Sequence, residues 1–180
     1  MRLVTFKHGA KNIHFIFGPY RERVPGTFGV RLTEDHQLNL PCNLHFPIPD
    51  FGVPKARAFE DFLIEIIKVA DNGAIPYVGC YGGIGRTGTV VAALARTLLV
   101  TQDPVTWARA NYLSHAVETQ EQRRLVDTFD VNRVREATFC DVVATGDAPT
   151  KEATKKSLQL VALWASFLNV FARQRKEAGR

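Results

Sequence analysis

Cysteine is scarce in this 180-residue chain. The three present, Cys42, Cys80 and Cys140, lie far apart, and no Cys-x-x-Cys pair occurs. That spacing argues against a disulfide framework and a zinc site, and makes a reducing, cytoplasmic compartment the expectation. The opening stretch Met1-Arg2-Leu3-Val4-Thr5-Phe6-Lys7-His8 lacks an apolar signal core of useful length. No basic run is interleaved with aromatics, so the net charge of +5 points to an anionic substrate or partner rather than to nucleic acid. Repeats and low-complexity tracts are absent. What remains, 46% hydrophobic and 23% charged, is ordinary globular composition with enough length for one substantial core.

What is present is concentrated in Val78-Gly79-Cys80-Tyr81-Gly82-Gly83-Ile84-Gly85-Arg86-Thr87-Gly88. A short apolar run, Ile75 to Val78, precedes it, and an apolar segment from about Arg86 to Val100 follows. The pattern predicts a strand, a glycine-dense turn and a buried helix. Backbone N–H groups from Tyr81, Gly82, Gly83, Ile84, Gly85 and Arg86, with the helix N-terminus behind them, would converge on one anion. The same positive field would favour the thiolate of Cys80. Arg86 adds a planar fork of donors suited to phosphate oxygens. Nucleophile, anion cradle and arginine clamp point to phosphoryl transfer through cysteine.

Two other glycine-rich loops are less well matched. Gly83-x-Gly85-x-x-Gly88 fits a dinucleotide fingerprint, but that reading needs an acid about 20 positions on, at the end of a second strand. Asp103, the only acid before Glu118 in that region, sits in what reads as a helix start. A nucleotide-binding P-loop needs Gly-Lys-Ser/Thr, and Arg86-Thr87 breaks it. A purely structural turn explains neither Cys80 nor Arg86.

Cys-x-x-Gly-x-x-Arg-Thr-Gly, as Cys80, Gly83, Arg86, Thr87 and Gly88, resembles the signature loop of cysteine-dependent protein tyrosine phosphatases. Its wording is most similar to the dual-specificity branch, in particular the cyclin-dependent-kinase-associated type. The resemblance covers about residues 44 to 130. It implies an α/β fold with a mostly parallel central sheet flanked by helices, and catalysis with no metal or other cofactor. One departure is Gly79, where the family usually has His. Loss of that support predicts reduced or alkaline-shifted activity rather than none.

The same resemblance assigns further residues. Pro49-Asp50-x-Gly52-x-Pro54 resembles the general-acid loop, which makes Asp50 the acid and Thr87 the donor that stabilises the departing thiolate. By itself, an Asp in so proline-rich a loop reads as a turn former. Ala116-Val117-Glu118-Thr119-Gln120-Glu121-Gln122 resembles the segment whose counterpart positions the hydrolytic water in tyrosine-specific relatives, so Glu118 and Gln122 become candidates. On local grounds Thr119 and Gln122 form a helix capping box. The implied substrate is a phosphorylated protein, with phosphotyrosine and phosphoserine/threonine both admitted. The rival readings are a phospho-binding module without turnover and an RNA 5′-phosphatase.

Elsewhere the patterns are structural. Strands are expected at 12–17, 28–32 and 43–48, and an amphipathic helix from Pro54 to Ala70 carries Phe59, Phe62, Leu63, Ile66, Ile67 and Ala70 on one stripe. A short helix should run from Val105 to Tyr112 behind Asp103-Pro104. His14 and His45 read as packed or hydrogen-bonded strand residues, His8 and His36 as exposed loop residues. Residues 132–149 read as a connection. A phosphatase domain over 1–148 would then be followed, within 149–180, by a helix of about 25 residues. Its stripe of Leu160, Val161, Trp164, Phe167, Leu168 and Phe171 suits packing on the domain, a homodimer or partner surface, or membrane-surface attachment. Cys42 is a candidate for a reversible disulfide with Cys80, or a buried free thiol.

Overall fold

The computed structural model describes residues 1–99 and 101–139. The helix expected within 149–180, its apolar stripe and Cys140 lie outside the described residues. Five strands, β1 (Arg2–His8), β2 (Lys11–Pro19), β3 (Phe28–Arg31), β4 (Leu44–His45) and β5 (Pro76–Cys80), form one sheet in the order β1-β2-β5-β3-β4. Only the β1–β2 pair is antiparallel; β2–β5, β5–β3 and β3–β4 are parallel. This is the mostly parallel α/β sheet expected.

Chain order and sheet order part company at β5, which inserts between β2 and β3. Parallel sheets leave a crevice beyond the strand C-termini at such a switch. Cys80 is the last residue of β5, so the signature loop starts in that crevice. All five residues of β5 are buried, as its central position requires.

The described residues also hold five α-helices: α1 (Ala56–Asp71), between β4 and β5, then α2 (Gly85–Leu98), α3 (Pro104–Asn111), α4 (Gln120–Thr128) and α5 (Val131–Phe139). Their buried side chains feed one large core that also takes Val4, Phe6, Phe15, Phe17, Val30 and Val78 from the sheet. On β5 the next residue over, Tyr77, faces the other way into a small second cluster with Ile16, Tyr20, Val24 and Ile75. α2 is buried nearly all round, consistent with its apolar sequence. α1 buries the expected stripe, but it starts at Ala56 with Lys55 as N-cap, so Pro54 precedes the first turn rather than occupying it. Gly73 at φ 87° ends it.

Three expectations need correction. His8 is no loop residue: it is buried at the end of β1, with Nδ1 3.0 Å from Asp71 Oδ1 and its ring 4.4 Å from that of Phe139. The strand that carries it went unread although Val4, Phe6 and His8 alternate inward as a strand face must, because its other positions are polar or exposed. Residues 132–139 belong to α5, not to a connection. Asp130 accepts the Arg133 N–H at 3.0 Å, the Asp130 N–H donates to Glu60 at 2.9 Å, and Val134 buries fully. β4 is two residues long rather than six, although the Asn43, Phe46 and Ile48 N–H groups still donate to the carbonyls of Gly29, Arg31 and Leu32 along the β3 side. His36 is exposed in a turn, and His14 and His45 are hydrogen-bonded to Thr5 Oγ1 and the Thr33 carbonyl. No described helix is long and apolar enough to cross a membrane.

Candidate active site

Cys80 is buried, and its sulfur is held by donors alone. The Gly83 N–H points at Sγ from 3.2 Å and the Thr87 hydroxyl from 3.1 Å. Thr87 Oγ1 also accepts the Cys80 N–H at 2.9 Å, so one buried hydroxyl fixes both the backbone and the sulfur. Two donors are thus aimed at one sulfur. α2 begins at Gly85, and its N-cap, Ile84, has no side chain to spend on the first-turn N–H groups. α3 and α4 are capped by Asp103 and Thr119. α1, like α2, has no side-chain cap, but it is the α2 end that opens onto the loop, which leaves its orphan donors for an anion.

The loop is fitted tightly against β2. Gly83 has φ 71°, and a Cβ there would lie 2.6 Å from the Gly18 carbonyl carbon and the Pro19 nitrogen. Only glycine meets both demands. Gly79 is crowded in the same way: a Cβ would lie 2.6 Å from the Gly18 oxygen and 2.8 Å from the Tyr20 backbone. That contact explains why no histidine stands before the cysteine in this chain. On the far side of the loop, the Tyr112 hydroxyl donates to the Gly83 carbonyl. Burial, with the neighbouring Cys80 as a lesser cause, raises the Tyr112 phenol far above its ordinary range, so it stays a donor.

Arg86 is 3% exposed and its guanidinium is held along one edge. Nη1 donates to the Ile48 carbonyl at 3.0 Å and to Gln37 Oε1 at 2.7 Å. Nη2 lies 2.8 Å from Asp50 Oδ1. Asp50 sits in a turn closed by the Gly52 N–H on the Pro49 carbonyl, with its carboxylate half exposed. The following residue, Phe51, takes φ 57°, a strained value for an aromatic. Its carbonyl accepts the Thr119 hydroxyl at 3.3 Å, which links the acid loop to the segment carrying Glu118.

Asp50, Cys80, Tyr81, Gly82, Ile84, Gly85, Arg86 and Glu118 surround one open cavity of about 160 Å³, with Phe51 at its mouth. Gly83 and Thr87 do not line it but reach it through Cys80, whose sulfur both contact. Glu118 approaches Gly85 so closely that a Cβ there would fall 2.1 Å from Oε2. Gln122 is deeper. Its Oε1 accepts the Glu118 and Thr119 N–H groups at 2.8 and 3.3 Å, completing the capping box, while its buried Nε2 has no partner among the described residues. Gln37 and Tyr112 escaped the sequence reading. A polar residue in a turn and a tyrosine at a helix end carry no local signal of a contact 49 or 29 residues away.

Cys42 and Cys80 are free thiols on opposite faces of the sheet. Cys80 joins the large core beside Val78, whereas Cys42 packs on the small cluster around Tyr77. A bridge between them would have to cross the sheet.

A family model described as "Tc-R-P: Polymorphic toxin system, DSP-PTPase phosphatase" matches residues 29–99. The crystal structure of Tk-PTP in the active form superposes with a TM-score of 0.54 at 27% identity, over 68% of this chain and 90% of that one. The chain has the fold of a cysteine-dependent dual-specificity phosphatase. Kinase associated phosphatase (KAP), solved with serine in place of its catalytic-site cysteine, shares the fold at 18% identity and a TM-score of 0.50, over 82% of this chain and 98% of that one. Two uncharacterized proteins of Methanocaldococcus jannaschii, MJECL20 and MJ0215, are 38% and 36% identical over 93 and 94 residues, 51% of this chain in each case. The chain spans 61% and 57% of the length of these two relatives. In this phosphatase fold the family match begins within β3 and ends just beyond α2, so it takes in Gln37, the acid loop and the signature loop, and stops short of Glu118.

Proposed function

We propose that the protein hydrolyses phosphate monoesters through a phosphocysteine intermediate, acting on phosphotyrosine and phosphoserine/threonine in proteins. The observation that carries this reading is the Cys80 sulfur, held by the Gly83 N–H and the Thr87 hydroxyl beside the Arg86 guanidinium at one cavity. A thiolate so placed is a nucleophile next to an anion cradle.

In the first step the Cys80 thiolate forms the S–P bond as the bond from phosphorus to the leaving oxygen breaks, and Asp50 gives that oxygen its proton. Arg86 Nη2 and the loop N–H groups other than that of Gly83, which stays on the sulfur, bind the equatorial oxygens and match their charge through the transition state. The phosphate takes the place that Asp50 Oδ1 now fills on Nη2, which frees Asp50 for proton transfer. In the second step water attacks phosphorus, Asp50 accepts its proton, and the S–P bond breaks. Thr87 donates to the departing sulfur. Glu118, on the cavity wall, orients the water, and Gln122 holds the backbone of Glu118 in place.

The protein-substrate reading is supported by the small, open cavity. About 160 Å³ holds a phosphate and the stub that carries it, not a whole small-molecule ligand, for which about 300 Å³ is a lower bound. Recognition of anything larger falls to the rim, where Phe51 and Tyr81 are exposed. Two free thiols suit a reducing, cytoplasmic setting. The test is hydrolysis of a small aryl phosphate across pH 5 to 8, in reductant and chelator, by wild type, Cys80→Ser and Asp50→Asn. Turnover lost in Cys80→Ser and sharply lowered in Asp50→Asn is expected. Folded wild type without turnover would replace the enzyme with a phosphate-binding module.

A further inference from the structure

We infer that Gln37 is a positioning residue for phosphate binding: its neutral amide oxygen clamps the outer edge of the Arg86 guanidinium without adding a permanent negative charge beside the displaceable one of Asp50. A guanidinium has five N–H donors in a rigid fork. Both donors of Nη1 are engaged, by Gln37 Oε1 at 2.7 Å and the Ile48 carbonyl at 3.0 Å. Neither acceptor carries a charge. The opposite edge, Nε with Nη2, offers its fork to the two oxygens of an anion once Asp50 Oδ1, 2.8 Å from Nη2, gives way. A carboxylate in place of Gln37 would hold the same edge but neutralise the arginine within a buried site, where charge is weakly screened.

The turn that presents Gln37 is itself braced. The Gln37 and Leu38 N–H groups both donate to the Glu34 carbonyl, at 3.1 and 3.2 Å. From β3 the buried Arg31 donates through Nη1 to the Leu38 carbonyl and through Nη2 to Asp35 Oδ1 at 2.7 Å. Thr33 Oγ1 adds a bond to the same Leu38 carbonyl at 3.2 Å. A side chain that merely covered solvent would not need this bracing. The 34–38 turn instead behaves as a bracket that transmits the rigidity of β3 to a side chain of the adjacent loop.

This inference rests on the reading of Arg86 as the anion clamp, but not on turnover. The probe is sulfate, a dianion of fixed charge from pH 5 to 8, titrated calorimetrically into the wild type, Gln37→Ala, Gln37→Glu, Arg86→Lys and Gln37→Ala/Arg86→Lys. Sulfate affinity should fall about 10-fold in Gln37→Ala, the loss of one hydrogen bond to a charged group. It should fall further in Gln37→Glu, with thermal midpoints close to wild type. In the Arg86→Lys background the Gln37→Ala change should cost little more, because both act through one cation. Aryl phosphate turnover in the single variants should show a raised KM with a smaller change in kcat. Unchanged sulfate affinity in Gln37→Ala would overturn the proposal. So would Gln37→Glu binding sulfate as well as wild type, or full additivity with Arg86→Lys. Wild type that binds sulfate with the predicted ranking but turns over no aryl phosphate would sink the enzymatic reading and leave the role of Gln37 standing.

Discussion

The Tyr112 hydroxyl donates to the Gly83 carbonyl, so the end of α3 grips the back of the loop whose front holds the Cys80 sulfur. Gly83 thus has its N–H committed to the sulfur and its carbonyl committed to a phenol. The peptide planes on both sides of this residue are thereby oriented, which is how a distant helix can set the direction of the anion-binding donors.

Removing that hydroxyl should be felt twice. Tyr112→Phe leaves the Gly83 carbonyl buried without its partner, a cost of about 1–3 kcal/mol. Denaturant melts should show that loss, and kcat for an aryl phosphate should drop with it. A variant with wild-type stability and turnover would show that the loop holds its shape without α3.

Restoring the family histidine should not help. A Cβ on residue 79 meets the Gly18 oxygen and the Tyr20 backbone well inside contact distance. Gly79→Ala should therefore destabilise by about 1–3 kcal/mol as an overpacked site does, and Gly79→His by more. Chemical denaturation of the two variants checks the order, and neither should exceed wild-type activity.

Asp50 should affect binding and chemistry in opposite directions. Its carboxylate occupies Arg86 Nη2 at 2.8 Å, where a substrate oxygen would sit. Asp50→Asn removes the competing charge, so affinity for inorganic phosphate should rise while kcat falls by about 100-fold or more for want of a proton donor. Parallel phosphate titrations and single-turnover measurements separate the two. Weaker phosphate binding in the variant would mean that Asp50 supports the clamp rather than competing with the ligand.

Glu118 should matter to the second step only. Glu118→Gln should keep the burst of leaving group and slow the steady state, with phosphocysteine accumulating in a rapid quench. A diminished burst would move Glu118 to the first step.

A pH dependence follows from the start of α3. Asp103 accepts the Thr106 N–H at 3.0 Å and its hydroxyl at 2.7 Å, and these bonds hold its carboxyl below the ordinary range. A carboxylate depressed in the fold contributes stability above its unfolded value of about 3.9 and loses it as pH falls through the folded value. Asp103→Ala should cost about 0.5–2 kcal/mol near neutrality, as N-cap losses do. In acid the gap to wild type should shrink, because the wild-type cap is then protonated. A gap independent of pH down to 2.5 would assign the effect to something other than the charged cap.

Much of this could be read before any coordinates. The Cys80 loop between a strand and a buried helix, the apolar stripe of α1 and the Thr119–Gln122 capping box are local patterns. Each is a matter of residues within one or two turns of each other, where spacing alone sets which side chains share a face. Asp50, Arg86, Thr87 and Glu118 were likewise legible, through motifs whose wording is contiguous. β1 and α5 were missed for the converse reason. With few buried positions of their own, they are fixed by distant contacts, as His8 meets Asp71 and Asp130 and Arg133 meet the acids of α1.

The sequence by itself determined the chemistry on offer: a cysteine, an arginine, a loop of glycines and an acid, each in a recognisable local setting. Only the tertiary structure decided how that chemistry is aimed. Gly79 could be read as the loss of a histidine; the close approach of β2 makes it the one residue that fits. Gln37 could be read as a turn residue; the bracing of its turn by Arg31 carries it to Arg86. Contacts between residues far apart in sequence depend on where packed elements bring the backbone, and that follows from the summed burial of the whole core rather than from any one stretch of the chain.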